Sequence, residues 1–117
     1  IYFRSLNFSM NDAGGSTMEA FELIAIEITY QQQTRGLTFT SAGLIRVTDY
    51  GDRLWYIDVN GMADRELLAW FGQSEDIAVQ LTAIGRNGQT FRGKGYLHPN
   101  VTHMAAAIRG EGELLEQ

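Results

Sequence analysis

The chain reads as a mainly β domain: a small closed or nearly closed barrel or sandwich of about six strands, with one short helix between the third and fourth core strands. Three observations predict this. Apolar residues recur at every second position in several stretches. Clusters of Gly, Asn and Asp separate those stretches. Helical spacing occurs convincingly only over residues 63–71.

Residues 21–31 form the first core strand, with Ile24, Ile26, Ile28 and Tyr30 alternating against Ala25, Glu27, Thr29 and Gln31. Residues 32–36 make the turn. Residues 37–48 follow as a strand, with a bend or bulge at Ala42-Gly43. After a turn at Asp49-Tyr50-Gly51-Asp52, residues 53–59 carry Trp55, Ile57 and Val59 on one face, and Leu54, Tyr56 and Asp58 on the other.

The helix over 63–71 starts at Asp64, has the apolar stripe Leu67, Leu68 and Phe71, and fits Gly72 just past its end. A helix this short is unstable alone in water and must dock on the sheet. Gly93 and Gly95 offer one flat place for it.

Residues 76–97 form a hairpin around Gly85-Arg86-Asn87-Gly88. A two-residue Asn-Gly turn would set Ala83 beside Arg92 and Leu81 beside Lys94, placing cations on an apolar face. A three-residue loop with Gly88 in the left-handed conformation pairs Gly85 with Gln89 instead. Then Ala83/Phe91, Leu81/Gly93, Val79/Gly95 and Ile77/Leu97 share one face, while Thr82/Arg92, Gln80/Lys94 and Ala78/Tyr96 share the other. Keeping one face apolar selects the second register. Glycines on that inner face imply close approach by another element. His98-Pro99-Asn100 ends the hairpin, and residues 101–115 form the last strand, with Met104, Ala106 and Ile108 on one face.

With 117 residues, the chain is long enough for one core that needs no staples. It has 44% hydrophobic and 20% charged residues, as ordinary soluble domains do. It has no cysteine, which excludes disulfides, thiolate metal sites and thiol catalysis, and fits a reducing compartment. The expected location is the cytoplasm, or a virion if the chain is phage-derived. No stretch approaches about 20 consecutive apolar residues, so no helical membrane span is expected. Residues 1–17 are read as an N-terminal arm and a Gly/Ser-containing link, either foreign to the domain or pairing in trans through Tyr2, Leu6, Phe8 and Met10; residues 18–117 form a single β-rich domain.

No constellation supports catalysis. His98 and His103 flank a turn but lack a third spaced metal ligand. Asp49, Asp52 and Asp58 do not follow the calcium-loop pattern. Glu111 and Glu113 have no apolar pocket to split their pKa values. Asn100-Val101-Thr102 matches a glycosylation acceptor without a secretory signal beside it. Neither Gly93-Lys94-Gly95 nor Gly110-Glu111-Gly112 opens a helix after a strand, so no phosphate-binding loop is supported. No catalytic residue, metal site or cofactor is therefore assigned, and a non-enzymatic module is expected.

The candidate contact face is the polar side of the hairpin: Gln80, Thr82, Arg92, Lys94 and Tyr96. It suits a solvated face, a subunit contact, or a stacking track for a single-stranded nucleic acid. The net charge of −5 ranks nucleic acid last. Trp55, Tyr56, Trp70, Phe71 and Phe91 either fill the core or line a small-molecule cavity.

The strand–strand–strand–helix–strand–strand order over residues 21–97 resembles the oligonucleotide/oligosaccharide-binding (OB) fold. That resemblance implies a ligand face holding Thr38, Thr40, Arg46, and Trp55 or Tyr56. The C-terminal run from Phe91-Arg92-Gly93-Lys94-Gly95-Tyr96-Leu97 to Met104-Ala105-Ala106-Ala107-Ile108-Arg109-Gly110-Glu111-Gly112-Glu113-Leu114 resembles the closing strands of phage tail-tube proteins, with their Gly-x-Gly-x-Leu ending. The resemblance implies a β-sandwich with a flanking helix, and assembly into rings. The expected function is a self-associating structural module. The alternatives are an OB-like binder of an extended ligand and a small-molecule-binding barrel.

Overall fold

The computed structural model describes residues 6–10 and 16–117. Its strands are β1 (Leu6–Met10), β2 (Ser16–Tyr30), β3 (Gln33–Gly36), β4 (Ser41–Asp49), β5 (Asp52–Asn60), β6 (Ala78–Gly85), β7 (Thr90–Asn100) and β8 (Ala105–Glu116), with α1 (Arg65–Gln73) between β5 and β6. Six of the strands close into an antiparallel barrel in the order β2-β4-β5-β8-β7-β6, with β6 returning to β2. The fold class is thus as expected, and the helix lies between the third and fourth barrel strands.

Alternation drives the closure. Ile26 and Ile28 of β2, Leu44 of β4, Ile57 and Val59 of β5, Leu81 and Ala83 of β6, Phe91 and Leu97 of β7 and Ile108 of β8 all point inward and are buried in one core cluster. Phe21 and Phe91 meet inside with ring centroids 5.0 Å apart. The β6–β7 register is the expected one: Ala83 faces Phe91, Leu81 Gly93, Val79 Gly95, Thr82 Arg92, Gln80 Lys94 and Ala78 Tyr96. Gly88 closes the loop at φ +91°, and the Gly85 amide donates to the Gln89 carbonyl at 2.8 Å.

The helix plugs one end of the barrel. The Asp64 carboxylate accepts from the Leu67 amide at 2.9 Å, while Leu67, Leu68 and Phe71 are buried. Phe71 and Trp70 both pack on Tyr30, at 4.9 and 5.0 Å between centroids. Gly72 lies against Pro99, so α1 meets the end of β7 rather than Gly93 and Gly95. The helix also continues past Gly72, with Ser74 as its C-cap.

Three other expectations are corrected. Residues 33–36 are a strand, because Gln31 and Gln32 turn the chain in two residues, both at positive φ. β7 runs through Pro99 to Asn100, and the break comes over the next four residues. β2 begins at Ser16, so Ser16 and Thr17 belong to a strand and not to a link.

At the end opposite the helix the barrel parts. β5 pairs with β4 along its whole length but with β8 only from Tyr56 to Val59. β2 pairs with β6 only from Leu23 onward, and its first part pairs with β1 instead, Leu6 opposite Ala20 and Phe8 opposite Met18. The four strands β1-β2-β4-β5 therefore extend past the barrel as a flap. Met10 stands opposite Ser16 in that flap, and Tyr2 lies outside the described residues.

Candidate functional site

The five residues expected on the hairpin's polar face do come together on the outside of the barrel. Register aligns Glu27, Thr82, Arg92 and Leu115 in one row across β2, β6, β7 and β8, and Thr29, Gln80, Lys94 and Glu111 in the next. An open groove of about 570 Å³ runs over them, with Glu27, Glu111 and Glu113 interleaved among the cations. The Tyr96 hydroxyl donates to the Glu111 carboxylate, and that bond holds the phenol above the ordinary tyrosine range. Arg92 donates to the Gln117 side chain at 3.3 Å. This face is polar and close to neutral, which removes the continuous cationic track that a nucleic-acid strand would follow.

A second outer face, on β4, β5 and β8, was not singled out from sequence. Ile45 of β4, itself buried, stands opposite Tyr56 of β5, and the half-buried Val47 stands opposite Leu54. Leu54 is 65% exposed, Tyr56 40% and Tyr50, in the β4–β5 turn, 75%. Tyr50 holds φ +51°, a left-handed conformation uncommon for a bulky residue. Beside them lies a trough of about 690 Å³ lined by Leu54, Tyr56, His98, Ala107, Arg109 and Gly110, reaching Trp55 through the gap between β5 and β8. Register sets Tyr56, Arg109 and Tyr96 in one line across three strands. The signal was present: Leu54 and Tyr56 alternate with Trp55 and Ile57, so β5 is apolar on both faces.

Trp55 holds the parted seam together. It is 4% exposed, and its Nε1 donates to the Gly112 carbonyl at 3.1 Å. A Cβ on Gly110 would come within 2.2 Å of the indole, and one on Gly93 within 2.9 Å. Gly93 and Gly110 therefore admit this ring, whereas a Cβ on Gly95 would meet the Arg109 carbonyl of β8 at 2.5 Å. Gly112 takes φ +71° in a bulge where residues 112–114 lie opposite Gly93. The Gly-x-Gly-x-Leu ending thus has a local cause: a flat seat for Trp55, then a left-handed turn, then Leu114 packed on the core.

Next to Trp55, inside the open end, Arg46 donates to Glu19 at 2.8 Å and to Glu116 at 3.0 Å, and its guanidinium lies 5.4 Å from the Phe21 ring centroid. The Glu19 bond comes first among the causes that hold Arg46 above its ordinary pKa. These contacts tie β2, β4 and the end of β8 together. The residues of the OB-type face divide accordingly. Arg46 and Trp55 point into the barrel and Tyr56 points out. Thr38 and Thr40 lie in the β3–β4 connection, where the Thr38 carbonyl accepts from the Ala63 amide and the Thr40 amide donates to Asn60.

The remaining candidates are also placed. His98 lines the trough, while His103 sits in the β7–β8 turn with Nδ1 3.2 Å from Asn100 Oδ1. Trp55, Phe71 and Phe91 are buried in the core cluster, whereas Tyr56 and Trp70 are partly exposed. Among the described residues no helix is long and apolar enough to cross a membrane. No protein-family model, curated protein or solved structure matches the chain.

Proposed function

We propose that this protein is a non-enzymatic structural module that self-associates. The observation that carries the reading is the exposed apolar surface of β5 and the β4–β5 turn, where Tyr50, Leu54 and Tyr56 stand out of a sheet whose opposite face gives Leu44, Trp55, Ile57 and Val59 to the core. Contiguous exposed apolar surface of this kind marks contact sites. The same sheet has an edge open to pairing: residues 52–55 of β5 have no strand beside them on the β8 side among the described residues.

Sedimentation of the full chain over a range of concentrations tests this. The wild type is expected to gain mass as concentration rises. Leu54→Arg is expected to abolish the gain without changing the thermal unfolding midpoint, and Arg65→Ala, on the helix at the opposite end, is expected to leave it intact. A wild type that stays monomeric at every concentration contradicts the proposal.

A further inference from the structure

We infer that self-association takes the form of a closed two-fold dimer, in which the trough at Leu54, Tyr56 and Arg109 receives Glu113 and Leu115 of a second copy, and the reverse contact forms at the same time. The inference deepens the self-association reading and rests on it.

Two neighbouring patches on the outside of β8 carry the argument. The first is the trough, apolar at Leu54 and Tyr56 and cationic at Arg109. The second lies further along the same strand, past the bulge. There Leu115 is 57% exposed on the outer row with Arg92, and Glu113 is exposed at the rim of the parted seam. Arg109 and Glu113 have no ion-pair partner among the described residues, unlike Arg35, Arg46 and Arg86, which are paired with carboxylates. The two patches are thus complementary in charge, and each brings exposed apolar side chains. Complementary patches side by side on one face are satisfied together by a two-fold axis between them, because each copy then offers both halves of the contact. Such a contact closes on itself, which a single knob-and-trough pair on opposite sides of the molecule would not. Pairing Leu115 with Leu54 and Tyr56 also removes from water two of the three most exposed large apolar side chains among the described residues, Leu54 and Leu115, with Tyr56 beside them.

Charge reversal tests this on the full chain. Arg109→Glu and Glu113→Arg, each alone, should weaken dimerisation at least about tenfold, since each sets like charges face to face in both halves of the contact. Both positions are exposed, so the thermal unfolding midpoints of the dilute proteins should match wild type. Mixing the two single variants should restore a dimer containing one of each, and the double variant should dimerise with itself to within about threefold of wild type. The inference is overturned if the wild type associates but single reversals leave it unchanged, if neither the mixture nor the double variant recovers, or if the associated species is larger than a dimer. A wild type that never associates removes the self-association reading as well, so the two failures are distinguishable.

Discussion

A single side chain, Trp55, decides how the open end of the barrel is built. Its indole fills the space between β5 and β8 where the strands no longer pair, and the seat it needs exists only because residue 110 is glycine. A methyl group there would stand 2.2 Å from the ring, a distance that forces the indole off its seat and stretches its bond to the Gly112 carbonyl. Gly110→Ala should therefore destabilise the protein by about 1–3 kcal/mol, as overpacking of a filled core does. Urea unfolding checks this through a lower midpoint at unchanged slope. In a Trp55→Leu background the same substitution should cost much less, because the two sites share one contact. The glycine pair was visible in the sequence as a motif, but its partner was not. Trp55 and Gly110 are far apart in the chain, and nothing local to either says that β5 lies beside β8.

At the scale of elements, legibility followed how local the determining physics is. The β6–β7 register was readable because one turn and one apolar face fix it together, and the wrong register would have put Arg92 and Lys94 on the inner side. The helix start was readable from Asp64, whose carboxylate both caps the Leu67 amide and pairs with Arg35 at 2.5 Å. Asp64→Ala should lower stability by about 1 kcal/mol through loss of the cap, seen as a reduced thermal midpoint, and Asp64→Asn should retain most of it. The ends of other elements depended on neighbours. Pro99 reads as a strand breaker, yet β7 continues through it. The β6 ladder has already stopped at the pair Ala78–Tyr96, so on that edge a missing amide proton costs nothing. Gly72 reads as a helix terminator, yet Pro99 packs beside it and the helix runs one residue further, to Gln73. The Gln31-Gln32 turn was missed because neither residue favours positive φ.

For the molecule as a whole, the barrel follows from alternation repeated on six strands, a signal that survives errors at every boundary. The contact surface was harder to see. The hairpin's polar face drew the eye because Arg92, Lys94 and Tyr96 are chemically conspicuous, but the fold interleaves them with Glu27, Glu111 and Glu113 and leaves that face balanced. The face made by β4 and β5 was hidden by its ordinariness, a run of apolar residues whose outward half shows only once the inward half has been placed. Amide hydrogen exchange of the full chain at low and high concentration decides whether this face is a contact surface. Raising the concentration should slow exchange over residues 52–56 and 109–115, while exchange over residues 78–82 stays the same. Equal exchange at both concentrations over residues 52–56, or slowing confined to residues 78–82, would contradict it.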